Sequence, residues 1–188
     1  LRPDGQLGFL TRTGRFELYS TAFASFGEDP LPYYMEPPFS PYNEDLDPAI
    51  KEEYPLILTT GARTYVSFHS EHRQIQSLRD MCPDPLLEMN PEDAERLGIK
   101  DGDWVMIENQ FGKCRQRANV TPCIQLGVVH AMHAWWYPEK DPNAPSLFGA
   151  YESNINTLLP NGYIGKIGFG DTFKANLCKV TKDERMEV

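Results

Sequence analysis

The sequence predicts a mainly β protein with short helices: a six-stranded barrel preceded by an extended, Pro-rich N-terminal arm. Three observations lead there. From Tyr54 onward, short apolar or alternating runs recur between turns marked by Gly and Pro. The helical signals between those runs are too short to cover a doubly wound sheet. Before Tyr54, prolines crowd the chain: Pro30, Pro32, Pro37, Pro38, Pro41 and Pro48, with Pro55 just after it.

Each proline removes a backbone donor and biases its predecessor toward extended geometry. Residues 1–53 are therefore read as an arm, with Tyr33, Tyr34, Phe39 and Tyr42 between the prolines to lie along another surface. Within the arm, Arg15–Tyr19 alternates and reads as one short strand. Residues 54–188 form the barrel. Pro55–Thr60 is an apolar run stopped at Gly61, hence a buried strand. A polar loop follows and passes into a helix near 71–79. Leu86–Met89 is the second strand. Asn90 suits an N-cap, Pro91 the first helical position and Gly98 the left-handed C′ position, so 91–97 is a helix. Glu92 and Asp93 then stand at its positive end. Trp104–Glu108 and Lys113–Val120 flank a Gly112 turn as a hairpin. Gly127–Met132 and Asn176–Thr181 supply the last two strands.

The chain has 188 residues and a net charge of −9. That acidity argues against a general binder of nucleic acid or of anionic membranes, both of which need basic surface. No apolar run reaches the roughly 18 residues of a membrane span. No basic start followed by an apolar core stands at Leu1, and the compartment stays open between cytoplasmic and exported. Leu1 in place of Met makes the chain read as a piece of a longer polypeptide. Cys82, Cys114, Cys123 and Cys178 form no C-x-x-C pair, which argues against a zinc ribbon or an iron–sulfur cluster, and four cysteines in 188 residues argue against a disulfide framework.

Chemistry-bearing patterns are few. His69/His72 and His130/His133 are each three apart, but neither pair has a Cys or carboxylate at ligand spacing. Ser67 and Ser70 flank His69 without the G-x-S-x-G elbow a nucleophile needs. Gly165, Gly168 and Gly170 open no long helix, so a dinucleotide loop of the usual doubly wound kind fails. What remains is the loop after the first strand. Arg63, Arg73 and Arg79 there face one acid, Glu71, within an acidic chain. Gly61 lets backbone approach a ligand closely, Arg63 and Arg73 have forks for phosphate oxygens, and Ser70 has a hydroxyl. A helix starting near Ser70 would add its positive end.

The order of these features resembles a known family. Tyr54–Gly61, His69-Ser70, Asn90–Ala94, Leu97–Ile99, Asp101–Val105, Gly112, Val120-Thr121, Gly127–Val129 and Asn154–Thr157 together are similar to the C-terminal molybdopterin-dinucleotide-binding domain of the dimethyl sulfoxide reductase family. The resemblance covers residues 54–188, and residues 1–53 look like the stretch entering from a preceding domain. His69–Arg73, Trp135-Trp136 and Glu152–Asn154 look like a branch of bacterial and archaeal enzymes. The resemblance implies a double-psi β-barrel. It implies a bis(molybdopterin guanine dinucleotide) cofactor with molybdenum or tungsten in the full-length oxidoreductase, and none bound to this piece alone. Gly61, Arg63, His69 and Ser70 match the family's first cofactor loop. Asn154 and Thr157 match an Asn-x-x-Thr element against a pterin, and Lys174 matches a basic position near the domain's end. The family's metal ligand and cluster cysteines match nothing in 1–188. No catalytic or metal-ligating residue is therefore expected here, and the redox step would need upstream domains of the same polypeptide. An iron–sulfur electron-transfer subunit is the further partner implied. The competing reading is a non-catalytic double-psi barrel that binds protein or substrate. A self-cleaving decarboxylase of the same fold needs a Gly-Ser bond, and this chain has none.

Overall fold

A computed structural model describes residues 3–62, 64–162 and 175–185. These fall into two compact units: residues 3–36 with Gly162, and residues 37–161 with 175–185.

In the first unit one short helix, α1 (Thr21–Ser25), is capped by Ser20, whose hydroxyl accepts from Phe23 N. The strand expected at 15–19 does not form. Glu17 is engaged locally instead: its carboxylate accepts from Thr13 N, Thr13 Oγ1 and Thr21 Oγ1 at 2.9–3.2 Å. Those bonds fold the chain into turns that leave no ladder partner.

The second unit is built on a closed six-stranded barrel. Its strands are β1 (Leu56–Ala62), β2 (Leu86–Met89), β3 (Trp104–Asn109), β4 (Gly112–Val120), β5 (Val128–Met132) and β6 (Asn176–Lys182). The order around the barrel is β1-β5-β2-β4-β3-β6, and β6 closes onto β1. β1/β5 and β2/β4 are parallel; the other four pairings are antiparallel. β5 lies between β1 and β2, and β4 between β2 and β3, so the connections interleave as in a double-psi barrel. All six strands fall where the sequence places them, within two residues at either end.

Period-two alternation fills the interior. Leu56, Leu58, Leu87, Met89, Val105, Ile107, Val129, Ala131, Cys178 and Val180 all point inward and are at most 2% exposed. Truncating one of them, Leu58→Ala for instance, removes packing worth about 2–5 kcal/mol. Residues 37–53 also pack: Phe39, Leu46, Tyr54 and Leu177 form a second cluster, and Phe39 meets Phe111 edge-to-face at 5.1 Å. α2 (Pro48–Glu53) lies within this stretch. Asp47 Oδ1 accepts from Ala49 N and Pro48 opens the helix, a start signal the proline density concealed. Between α1 and α2 the chain holds no helix or strand, as its prolines require.

Two further helices connect the strands. α4 (Pro91–Arg96) matches its punctuation: Asn90 Oδ1 accepts from Glu92 N at 2.9 Å, and Gly98 has φ +67°. Asp93 does more than meet the helix dipole. It is wholly buried and accepts from Gly127 N at 2.6 Å, tying α4 to the start of β5. The helix expected at 71–79 is α3 (Gln76–Met81) and starts later. His69 and His72 have φ of +51° and +73°, a left-handed backbone that cannot continue a right-handed helix.

Candidate cofactor-binding edge

Strand direction sets which loops meet. β1 and β5 are parallel, so Ala62 and Met132 end at the same rim, and the antiparallel β3–β4 hairpin brings its Asn109–Gly112 tip to that rim too. Thr60 pairs with Ala131 and Ala62 with Met132, so Gly61 is the extra residue of a bulge. Its φ of +101° is what a glycine permits there. Arg63 and Lys174 lie outside the described residues, as does most of the 160–171 glycine-rich stretch.

The loop beyond β1 is fixed by Arg73. Only 5% exposed, it donates to Ser67 Oγ at 3.1 Å and to the carbonyls of His69, His133 and Ala134 at 3.0–3.4 Å. The expectation that Arg73 forks onto phosphate therefore fails, because the side chain is buried and both terminal nitrogens are bonded inside the fold. The expected helix dipole at Ser70 also fails, since α3 begins at Gln76.

His69 is exposed and stands against His133, with Nδ1 to Nε2 at 3.0 Å. His133 Nδ1 lies 3.3 Å from the carbonyl of Ala62 and must donate to it. In neutral rings His133 Nε2 then accepts, His69 Nδ1 donates, and His69 Nε2 keeps a lone pair. Ser70 is held through its carbonyl, which accepts from Trp136 Nε1 at 2.6 Å.

Two chains of contacts link this loop to Asn154. Gln116, wholly buried, donates to Met132 O at 2.8 Å and to Ser153 O at 3.2 Å. Trp136 packs on Phe148 at 5.5 Å, Phe148 O accepts from Tyr137 N, and Tyr137 Oη bonds Ser153 Oγ at 2.7 Å. Ser153 ends α5 (Ala150–Ser153), next to Asn154. A 3₁₀ turn, Ile155–Leu158, follows. Asn154 Oδ1 caps it by accepting from Asn156 N at 3.1 Å, and its amide nitrogen has no partner among the described residues. Thr157 Oγ1 donates to Asn154 O at 2.9 Å, leaving its lone pairs. The turn comes so close to the hairpin that a Cβ on Gly112 would sit 3.1 Å from Thr157 O. Gly61, His69, Ser70, Asn154 and Thr157 thus stand on segments gathered at one end of the barrel.

Strain gathers there as well. All five non-glycine residues with positive φ among the described residues are His69, His72, Ala134, Leu147 and Phe148, in the three segments just joined. His133, Trp136, Gln116, Tyr137 and Ser153 were not legible as part of this edge. Their roles arise from partners 16 to 71 positions away. The tandem Trp135-Trp136, the His130/His133 spacing and Glu152–Asn154 were the visible signals. No group of three His, Cys, Asp or Glu side chains suited to a metal ion occurs among the described residues.

What this edge offers is a mixture of a ring lone pair, a hydroxyl and an amide N–H. Such a set can complement the edge of a nitrogen heterocycle. Comparison with known proteins agrees with the class. Residues 56–176 match the model of the molydopterin dinucleotide binding domain. The dopamine dehydroxylase of Eggerthella lenta is 44% identical over 161 residues, 83% of this chain and 15% of that protein. Dimethyl sulfoxide reductase of Escherichia coli K12 is 35% identical over 192 residues, 96% of this chain and 22% of that protein. The solved acetylene hydratase from Pelobacter acetylenicus superposes with a TM-score of 0.82 at 31% identity, over 97% of this chain and 25% of that one. The chain belongs to the molydopterin dinucleotide binding domain family of dimethyl sulfoxide reductase-type proteins. It spans less than a quarter of the length of those curated relatives.

Proposed function

We propose that this chain forms one wall of a bis(molybdopterin guanine dinucleotide) site, with molybdenum or tungsten, in a larger prokaryotic oxidoreductase. The observation that carries the reading is the polar edge itself. His69 Nε2, the Ser70 hydroxyl and the Asn154 amide stand on segments joined by Gln116 and Trp136. An acceptor beside a donor suits a pterin or guanine edge. Gly61 lets backbone approach, Thr157 offers lone pairs, and Arg63 and Lys174 bring cations suited to a diphosphate. When bound, the group supplies the redox chemistry. This chain's residues bind it, orient it and keep water from its edge.

In this reading residues 1–53 enter from a preceding domain, and upstream domains of the same polypeptide are the obligate partners. An iron–sulfur subunit would receive or deliver electrons. The piece alone is inactive and metal-free, because no residue in it matches the family's metal ligand or cluster cysteines.

The test uses the full-length protein with Asn154→Asp. Aspartate keeps the oxygen that caps the 3₁₀ turn, removes the amide donor and adds a negative charge. Losing one buried ligand bond is worth about 1–3 kcal/mol, so affinity should fall several-fold to about a hundredfold. Metal and pterin content should drop while the thermal midpoint of the apoprotein stays put. Unchanged content would reject Asn154 as a cofactor residue.

A further inference from the structure

Beside the loop hub lies a small cavity whose lining includes Ser67, His72, Arg73, Arg79, Cys82 and Trp135. We propose that it binds one small monovalent anion, a halide. Charge balance is the first argument. Arg73 makes all its hydrogen bonds to neutral oxygens. Arg79 has one carboxylate partner, Glu139, at 3.1 Å. No Asp or Glu lines the cavity. Two guanidiniums therefore share one carboxylate, leaving one buried positive charge without a counter-ion among the described residues. Burial, and then the nearby Arg79, pull Arg73 down to about 10 despite the opposing effect of Cys82. The Cys82 thiol is itself pushed up by burial, so it stands as a neutral S–H and supplies no charge.

Donor balance is the second. Arg73 Nε, Arg79 Nη1 and Trp135 Nε1 are all buried without a hydrogen-bond partner. Three such groups, on three residues that line one cavity, are costly unless something accepts from them. Both guanidiniums lie over the Trp135 ring, at 4.3 and 4.9 Å, which offsets part of the charge cost but satisfies no N–H. A water accepts two bonds and must place its own protons. A halide accepts all three.

Size is the third. The cavity measures about 10 Å³, on the scale of one water or one monatomic ion. Because these atoms are already closed off within the fold, a neighbouring domain could not supply the acceptor without opening it.

The experiment takes the full-length protein. Crystals grown with bromide in place of chloride are examined for anomalous density in the cavity. Thermal midpoints are compared in sodium bromide or chloride and in sodium gluconate at matched ionic strength. A bromide peak between Arg73, Arg79 and Trp135 is expected, with a midpoint rise that saturates with halide. Trp135→Phe, which keeps most of the ring and removes its N–H, should reduce that rise, and Arg79→Gln should abolish it. Arg79→Gln decides if the Trp135 variant fails to fold. The proposal is overturned by an empty cavity, by a halide increment that survives Arg79→Gln, or by a peak without any halide-dependent rise, which would mean binding at crystal concentration only.

Discussion

Gln116 shows how one side chain can join two distant segments. It sits on the inward face of β4 between Cys114 and Ala118, where an apolar residue would be expected. Its amide nitrogen donates to Met132 O and Ser153 O, and its oxygen accepts from Met132 N at 3.3 Å. Gln116→Leu leaves those backbone groups buried without partners, and each unsatisfied group costs about 1–3 kcal/mol. Stability measured by denaturant should therefore fall by at least about 2 kcal/mol. In the full-length protein cofactor loading should fall with it, since Asn154 follows Ser153. Gln116→Glu keeps only the acceptor and should be no milder. A variant as stable as the parent would show that the two segments are joined by other means. The sequence could not announce this role: Lys113–Val120 reads as a strand, but an inward glutamine is intelligible only once its carbonyl partners, 16 and 37 positions away, are in place. The polar loop beyond β1 was legible because a glycine and a polar run after an apolar strand are local features.

Elements with local punctuation were legible and those set by distant contacts were not. α4 carries its cap, its opening proline and its closing glycine in nine consecutive residues. α3 was misplaced because nothing local reveals that His72 is held left-handed, a conformation set where Arg73 bonds the carbonyls of His69, His133 and Ala134. β6 was legible by alternation, but its anchoring is electrostatic at one end. Lys182 Nζ bonds Asp103 Oδ2 at 2.8 Å, across the β3–β6 seam. The Lys182 hydrogen bond, and then the Lys100 N–H, hold the Asp103 carboxyl below its usual value. A depressed carboxyl pKa stabilises the fold above the unfolded-state value, near 3.9, and that contribution is lost as pH falls through the folded value. Asp103→Asn should thus cost a few tenths to about 1 kcal/mol at pH 7, the pair being partly exposed. The difference from the parent should shrink as pH falls below the unfolded-state value and vanish once the folded-state carboxyl is protonated too. Urea unfolding of both proteins at pH 7 and through a descending acid series measures this, and a gap that does not shrink in acid would assign Asp103 a role other than its charge.

At the scale of the whole molecule, closure of the barrel makes a cysteine-by-cysteine prediction. Cys114 on β4 and Cys178 on β6 are at most 1% exposed and belong to the same core. Burial pushes the Cys114 thiol up to about 12 and raises Cys178 as well, with the neighbouring Cys114 adding to the latter. The thiolate is the reactive form, so at pH 8 roughly one Cys114 in ten thousand would be ionised even if a reagent could reach it. Cys123 is exposed, and Cys82 is half-buried with its thiol raised by burial. Alkylation followed by peptide mass spectrometry should therefore label Cys123 first and Cys82 more slowly, through local opening of its loop. Cys114 and Cys178 should be labelled together, at a rate that follows global unfolding as urea is added. The two strands are not neighbours in the ring: β3 stands between them. A closed barrel has no edge from which one strand can peel without exposing the interior that both cysteines share. Labelling of Cys178 well ahead of Cys114 would mean that β6 detaches while the other five strands persist, and the ring would then behave as an open sheet closed by a removable sixth strand.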